Sequence, residues 1–256
     1  MPISGRGDSD LSRLAMRTVV IIQARMSSTR FPGKMMRLVS GIPLYLYVYQ
    51  RCGLIQGISG VVLATSSQKE DDHLAQHAIS MGCKVFRGSL EDVLGRFIVC
   101  AREDRAESII RVCGDSPFLD VQWIGRMIEH FHANKLDYVG WDHQSCIPGL
   151  DSEIIRLNVL EKIYNSSPSR EEMEHVTLRI RKNLRDYRSE MYCWDQMQEE
   201  FRGVRLTVDT RADWERVSWL ARILGERGTA LRFSSGDVAK VITQVASPGS
   251  IGISRG

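Results

Sequence analysis

The sequence predicts an α/β protein with a mostly parallel sheet covered by helices on both faces. Two observations carry that reading. Short apolar runs, "VVII" (19–22), "VVLA" (61–64) and "IIRV" (109–112), recur along the first half of the chain. Between them lie longer segments whose apolar residues return at helical spacing. Strands buried on both faces read as continuous apolar runs, and their alternation with helices is the pattern of parallel sheets.

The elements follow in order. "TVVIIQ" (18–23) is a strand, and "PLYLYVYQRCGLI" (43–55) a helix opened by Pro43. "GVVLATS" (60–66) is the next strand. "QKEDDHLAQHAISMG" (68–82) carries acids in its first turn, places Leu74, Ala75, Ala78 and Ile79 on one face and ends at Gly82. "CKVFRG" (83–88) is a short strand. "SLEDVLGRFIVCARED" (89–104) is a helix with Ser89 as candidate N-cap. "SIIRVCGD" (108–115), "VQWIGRMIEHFHAN" (121–134) and "LDYVGWD" (136–142) continue as strand, helix and strand. From 143 the alternation breaks into a loop and helices, with "RSEMYCWDQ" as an edge strand. "VRLTVDT" (204–210) returns to strand pattern, and "RADWERVSWLARILGE" (211–226) is a helix.

The expected organisation is a polar lead-in over 1–17, one domain over 18–245 and a frayed tail over 246–256. Residues 143–195 are expected to form an insertion that supplies a dimer contact. That insertion falls outside the sheet pattern yet carries Ile147, Leu150, Ile154, Ile155 and Leu160. Composition narrows the function. With 256 residues, 43% of them hydrophobic and 25% charged, the chain can bury a sizeable core. A net charge of +3 does not suggest a nucleic-acid partner. No apolar run reaches membrane-spanning length. The six cysteines make no C-x-x-C and no zinc spacing with histidine, so reduced thiols and a cytoplasmic location are expected.

In parallel sheets ligands bind beyond the carboxyl ends of the strands. "QARMSSTRFPGK" follows the first strand with Arg25, Arg30, Lys34 and several hydroxyls, a set suited to a triphosphate. A solvated basic loop would carry the same charges. Asp115 in "RVCGDSPFLD" could hold a hard divalent cation, although as a lone residue it reads first as a turn aspartate. Asp209 in "LTVDTRADWE" has the same double reading, since either it or Thr210 could cap the following helix. Two strand-end carboxylates far apart in sequence could meet on one Mg²⁺.

Together "IIQARMSSTRFPGK", "VVLATS", "VFRGSLEDVLGRF", "RVCGDSPFLD", "EHVT" and "LTVDTRADWE" resemble the CMP-sugar synthetases, or sugar cytidylyltransferases. The likeness is greatest to the spore coat polysaccharide biosynthesis protein F-like and acylneuraminate cytidylyltransferase-like branch. The resemblance implies a Rossmann-like three-layer nucleotidyltransferase fold. It also implies an enzyme that uses CTP and Mg²⁺ to convert an acidic sugar into a CMP-sugar with release of pyrophosphate. By likeness, Arg25, Ser28 and Lys34 hold the triphosphate, and Ala24, Thr65, Ser66, Ser67 and Arg111 lie along the nucleotide. Asp115 and Asp209 form the metal pair, with Arg25, Lys34, Asp115 and Asp209 as the catalytic set. Asp151, Glu153, Glu174 and His175 face the acceptor. The partners implied are CTP, an acidic sugar and a second copy of the chain. Sialic acid synthetases often carry a carboxylate where this chain has Thr207. The rival readings are a sugar 1-phosphate nucleotidyltransferase using another nucleoside triphosphate, a glycosyltransferase and a nucleotide sensor. Against the glycosyltransferase, the D-x-D pattern that such enzymes use occurs only at Asp8-Ser9-Asp10, in the lead-in.

Overall fold

A computed structural model of the chain describes residues 16–142, 147–192, 204–226, 228 and 231–246. Strands β1 (Thr18–Gln23), β4 (Gly60–Ser66), β5 (Val85–Gly88), β6 (Ser108–Cys113), β7 (Tyr138–Trp141), β8 (Glu153–Arg156) and β9 (Ser189–Tyr192) form a seven-stranded sheet in the order β5-β4-β1-β6-β8-β7-β9. A two-stranded ribbon pairs β2 (Leu38–Val39) with β3 (Ile42–Pro43). β4, β1 and β6 run parallel, as do β5 with β4 and β9 with β7. Only β8 runs against its neighbours β6 and β7.

The strands bury alternate residues in two separate cores, which makes the molecule three-layered. Val20, Ile22, Leu63, Ile110 and Val112 pack against α1 (Leu44–Cys52), α2 (Asp72–Ser80), α4 (Val121–Ala133), α8 (Arg211–Glu226) and α9 (Ser235–Ala246). Val19, Ile21, Val62, Ala64 and Ile109 pack against α3 (Val93–Glu103), α5 (Leu157–Asn165) and α7 (Leu178–Lys182). The short helix α6 (Arg170–Glu174) opens with a capping box between Ser169 and Glu172. No helix among the described residues is long and apolar enough to cross a membrane.

The predicted α/β class and mostly parallel sheet are present, with four differences in detail. Residues 143–195 do not stand outside the sheet, because Glu153–Arg156 inserts as β8 between β6 and β7. The five apolar residues taken as a dimer contact are at most 5% exposed, in the chain's own core. The stretch at 204–210 is no ladder strand: it is tied by Leu206 N–H to Pro148 O (2.8 Å) and Val208 N–H to Asp115 O (2.9 Å). Finally, α3 is capped by Asp92, whose carboxylate accepts from Gly95 N–H (2.8 Å), while Ser89 Oγ accepts from Asp92 N–H (3.0 Å) one turn earlier. Residues 1–15, most of the expected lead-in, and 247–256, most of the expected tail, lie outside the described residues. Arg17, at the end of that lead-in, is held by Asp104, with Nε donating to Asp104 O (2.6 Å).

Candidate active site

The chain leaves β1 for β4 on one side and later returns to β6 on the other, so a crevice opens beyond the carboxyl ends of these three strands. That is where open α/β sheets take ligands. β8 runs the opposite way, and its first residues therefore share the same rim: Glu153 pairs with Arg111, and Arg156 with Ser108 at the far edge.

At this rim Lys34 gathers two distant carboxylates. Its Nζ donates to Asp115 Oδ2 (2.7 Å), Val208 O (2.7 Å) and Asp209 Oδ1 (3.3 Å). The Lys34 side chain is 9% exposed, against 23% for Asp115 and 15% for Asp209. Local structure explains the convergence. Gly33 has φ +70°, a left-handed turn that starts the 3-10 turn Lys34–Met36 and directs the lysine inward. Gly114 brings the end of β6 against the loop after β1: a Cβ there would lie 2.9 Å from Ala24 Cβ. Two exposed cations complete the cluster. Arg30 Nη2 lies 2.9 Å from Asp209 Oδ1, and Arg205 Nη2 3.0 Å from Asp209 Oδ2.

The geometry also separates the double readings of the aspartates. Helix α8 is capped without the Asp209 side chain: Thr210 Oγ1 accepts from Asp213 N–H (3.2 Å), and the Asp213 carboxylate accepts from the N–H groups of Asp209 (3.2 Å) and Thr210 (2.9 Å). The Asp209 carboxylate is instead turned to Lys34. The Asp115 carboxylate likewise meets Lys34.

The loop 24–34 leaves Arg25 exposed and Ser28 half-buried, with Ser28 Oγ accepting from Phe31 N–H (3.3 Å). Ala24 is buried against the end of β6. At the end of β4, Thr65 and Ser66 are buried and Ser67 is exposed, with Ser67 N–H donating to Gly88 O (2.8 Å). Thr65 Oγ1, Gln23 Oε1 and Arg111 Nε are buried without a hydrogen-bond partner, a set of open polar groups in the crevice strands. Arg87 frames this side, with Nε donating to Ser66 O (2.9 Å) and Nη2 to Gln68 O (2.9 Å). A cavity of about 520 Å³ lies along β5, α3 and α5, lined by Arg87, Gly88, Ser89, Arg96 and Tyr164 among others, and none of Lys34, Asp115 and Asp209 lines it.

Arg111 and Glu153 form an ion pair of 2.7 Å. Glu153 also accepts from Tyr138 Oη (2.6 Å) and Thr177 Oγ1 (3.1 Å). Burial pushes the Glu153 carboxyl up, but the Arg111 charge and these hydrogen bonds outweigh it and hold it below the ordinary range. Burial pushes the nearby Cys113 thiol up to about 12, so it is protonated and no nucleophile. Asp151 Oδ1 accepts from Gly149 N–H (2.9 Å). Glu174 and His175 sit exposed at the end of α6, and no contact joins them to the Lys34 cluster. The structure thus brings Lys34, Asp115 and Asp209 together at one point and buries Glu153 behind Arg111. Sequence reasoning missed Arg205 and the pairing of Arg30. Arg205 had a signal: it alternates with Thr207 and Asp209 on the outward side of a segment whose Leu206 and Val208 are buried.

Asp115 and Asp209 could hold a divalent cation. The Lys34 ammonium already bridges the two carboxylates as a stand-in cation, and hard oxygen donors in this number suit Mg²⁺, which takes one or two carboxylates and completes its shell with water and phosphate. Among the described residues no group of three or more His, Cys, Asp and Glu is placed to bind a metal, so the protein's share would be this pair.

Comparison with known proteins agrees with this fold. The family described as cytidylyltransferase matches residues 19–219. The spore coat polysaccharide biosynthesis protein SpsF of Bacillus subtilis is 36% identical over 214 residues, covering 81% of this chain and 87% of that protein. The 3-deoxy-manno-octulosonate cytidylyltransferase of Geobacter sulfurreducens is 36% identical over 127 residues, 49% of each chain. A solved cytidylyltransferase structure from Leptospira borgpetersenii superposes with a TM-score of 0.82 at 27% identity, covering 90% of this chain and 94% of that one. The chain belongs to the cytidylyltransferase family and is a nucleotidyltransferase enzyme.

Proposed function

We propose that this enzyme joins the CMP part of CTP to an acidic sugar and releases pyrophosphate. The observation that carries the reading is the meeting of Lys34 with Asp115 and Asp209 beside a loop of cations and hydroxyls at the sheet's carboxyl rim. The relatives support the substrate class, since one is named for polysaccharide biosynthesis and another for an octulosonate.

In the proposed reaction a sugar hydroxyl oxygen attacks the α-phosphorus of CTP. The bond from that phosphorus to the bridging oxygen breaks, pyrophosphate leaves with the electron pair, and the hydroxyl proton passes to solvent. Such transfers depend on positioning and on stabilising charge as it develops. Lys34 and Arg25 neutralise the departing pyrophosphate, and Ser28 and the loop amides orient the phosphates. Asp115 and Asp209 would hold Mg²⁺, which when bound would supply Lewis-acid stabilisation of phosphoryl charge. Arg30 and Arg205 add positive charge at the mouth, suited to an anionic acceptor.

The test is pyrophosphate release with CTP across a panel of acidic and phosphorylated sugars, repeated with UTP, ATP and GTP. Release with CTP and an acidic sugar supports the reading. Release only with a sugar 1-phosphate and another nucleoside triphosphate replaces it.

A further inference from the structure

Asp71 lies in the 3-10 turn Lys69–Asp71 between β4 and α2, and is 1% exposed. Its two oxygens serve two different loops. Oδ1 accepts from Met26 N–H at 2.6 Å, at the start of the loop 24–34. Oδ2 accepts from Ser66 N–H at 3.1 Å and from the Ser66 hydroxyl, at the end of β4. Ser66 Oγ in turn accepts from Gln68 N–H (3.2 Å). A carboxylate buried this deeply is costly without such donors. The partner at Met26 is 45 residues away, so the contact is not a local turn bond.

The surroundings reinforce the brace. Arg96 on α3 is 3% exposed, donates Nη1 to Ser89 O (2.9 Å) and leaves Nε without a partner. Burial lowers its pKa, and the Asp71 carboxylate is foremost among the groups that oppose that shift. Asp71 therefore also supplies counter-charge to a cation buried beside the crevice.

We propose that Asp71 is a positioning residue that fastens the phosphate loop to the end of β4, so that the segments flanking the triphosphate and the base move as one rigid cradle. The proposal rests on the reading of loop 24–34 as the CTP triphosphate site. The physical reason is that Met26 begins a loop with few ties of its own: Ser28 N–H and Gly33 N–H both bond to Met26 O (2.8 and 3.4 Å). Fixing the Met26 peptide by its N–H orients the carbonyl on which those two amides converge. A loop positioned before nucleotide arrives loses less entropy on binding it.

The test uses the full chain as Asp71→Asn, with Asp104→Asn as the control. Asp104 is also buried and ion-paired, but to Arg17 and Lys84 at the opposite edge of the sheet. In Asp71→Asn the amide group turns an N–H toward one of the backbone donors, so a charge-assisted bond is lost. Hydrogen exchange without nucleotide should speed at the Met26 amide by roughly tenfold or more. The Kd for CTP, by calorimetry with Mg²⁺, should rise by a similar factor, and KM for CTP should rise with kcat changed less. Asp104→Asn should lower Tm without moving the CTP Kd. Faster exchange with unchanged CTP affinity overturns the positioning role, and unchanged exchange overturns the brace itself. A wild-type chain that binds no CTP removes the nucleotide reading and the proposal with it, while the exchange result still reports the brace. Should Asp71→Asn not fold, Ser66→Ala removes the hydroxyl donor to Asp71, together with the acceptor of Gln68 N–H, and leaves the Asp71 carboxylate in place. It must then show faster Met26 exchange without nucleotide, and unchanged exchange overturns the proposal.

Discussion

Arg111 Nη1 lies 2.7 Å from Glu153 Oε2 at a paired position of β6 and β8, so the point where the sheet changes direction is fastened by an ion pair at its rim. Removing one partner of such a pair leaves an uncompensated charge. Glu153→Gln is expected to cost about 3–5 kcal/mol, measured by urea unfolding. The pH dependence has a definite sign. The Glu153 carboxyl is held below its ordinary value of 4.5: burial works against this, and the Arg111 charge with the hydrogen bonds from Tyr138, Arg111 and Thr177 prevails. Its contribution is present above pH 4.5 and is lost as pH falls through the lower folded value. The stability gap between wild type and Glu153→Gln should therefore narrow in acid, and a gap that stays constant from pH 7 to pH 3 would contradict this.

Lys34→Ala is expected to weaken CTP binding about ten- to a hundredfold, the loss of a charged hydrogen bond, and CMP binding much less. Lys34 is assigned to the outer phosphates, which CMP lacks. Calorimetric titration of both nucleotides checks it, and equal losses would move Lys34 away from the triphosphate.

Asp115→Asn and Asp209→Asn are each expected to remain folded and to lose about a hundred- to a thousandfold in turnover, the scale for removing one group that stabilises transition-state charge. The cap of α8 comes from Thr210 and Asp213, so Asp209→Asn does not uncap the helix. The double variant should be little worse than either single one, because both side chains serve one ion. Thermal melts and turnover across a Mg²⁺ titration test this together. Near-wild-type turnover of Asp209→Asn at low Mg²⁺ would remove Asp209 from the site.

His132 adds a second pH effect, at the opposite edge of the sheet. Its Nε2 lies 2.8 Å from Thr18 Oγ1, which meets Ser108 Oγ at 2.8 Å. Burial lowers the imidazole pKa below 6.5, with the Arg156 charge acting in the same direction. The neutral ring is favoured in the fold, so stability is full above pH 6.5 and declines as pH falls toward the folded value. His132→Gln should flatten Tm between pH 7 and pH 5. A wild-type Tm that is level over that range would show that the ring does not titrate there.

The legible parts of the fold were those whose pattern had one physical cause. β1, β4 and β6 are apolar on both faces because helices cover both. β8 was missed because "EIIR" runs directly into α5, "LNVLEKIYN", and the joined apolar positions imitate one longer helix. The segment at 204–210 alternates like a strand because one side is buried and the other faces the site, yet it joins no ladder. At the site, Asp115 and Asp209 could be picked out because each follows an apolar run and so had to emerge at the rim, and Lys34 because it ends the cationic loop that follows the first strand. Asp71 could not, since "EDD" reads as acids opening a helix and nothing local reveals a partner at Met26. Arg205 differs: its alternation with Thr207 and Asp209 was a signal, but an exposed arginine is ordinary and draws no notice by itself.

The reversed direction of β8 has a consequence for how this scaffold can vary. Trp141 ends β7 and Glu153 begins β8 on the same rim that receives the ends of β1, β4 and β6. The connection between them therefore starts and finishes at the mouth of the crevice, and its described part is packed: Ile147, Leu150 and Ser152 are buried, and Pro148 O accepts from Leu206 N–H (2.8 Å). Changing its side chains would recontour the mouth while Thr18, Ser108 and His132 at the opposite edge kept their packing. The antiparallel strand thus sets a packed wall beside the crevice, and its contour is governed by buried side chains, with the opposite edge of the sheet mechanically separate from it.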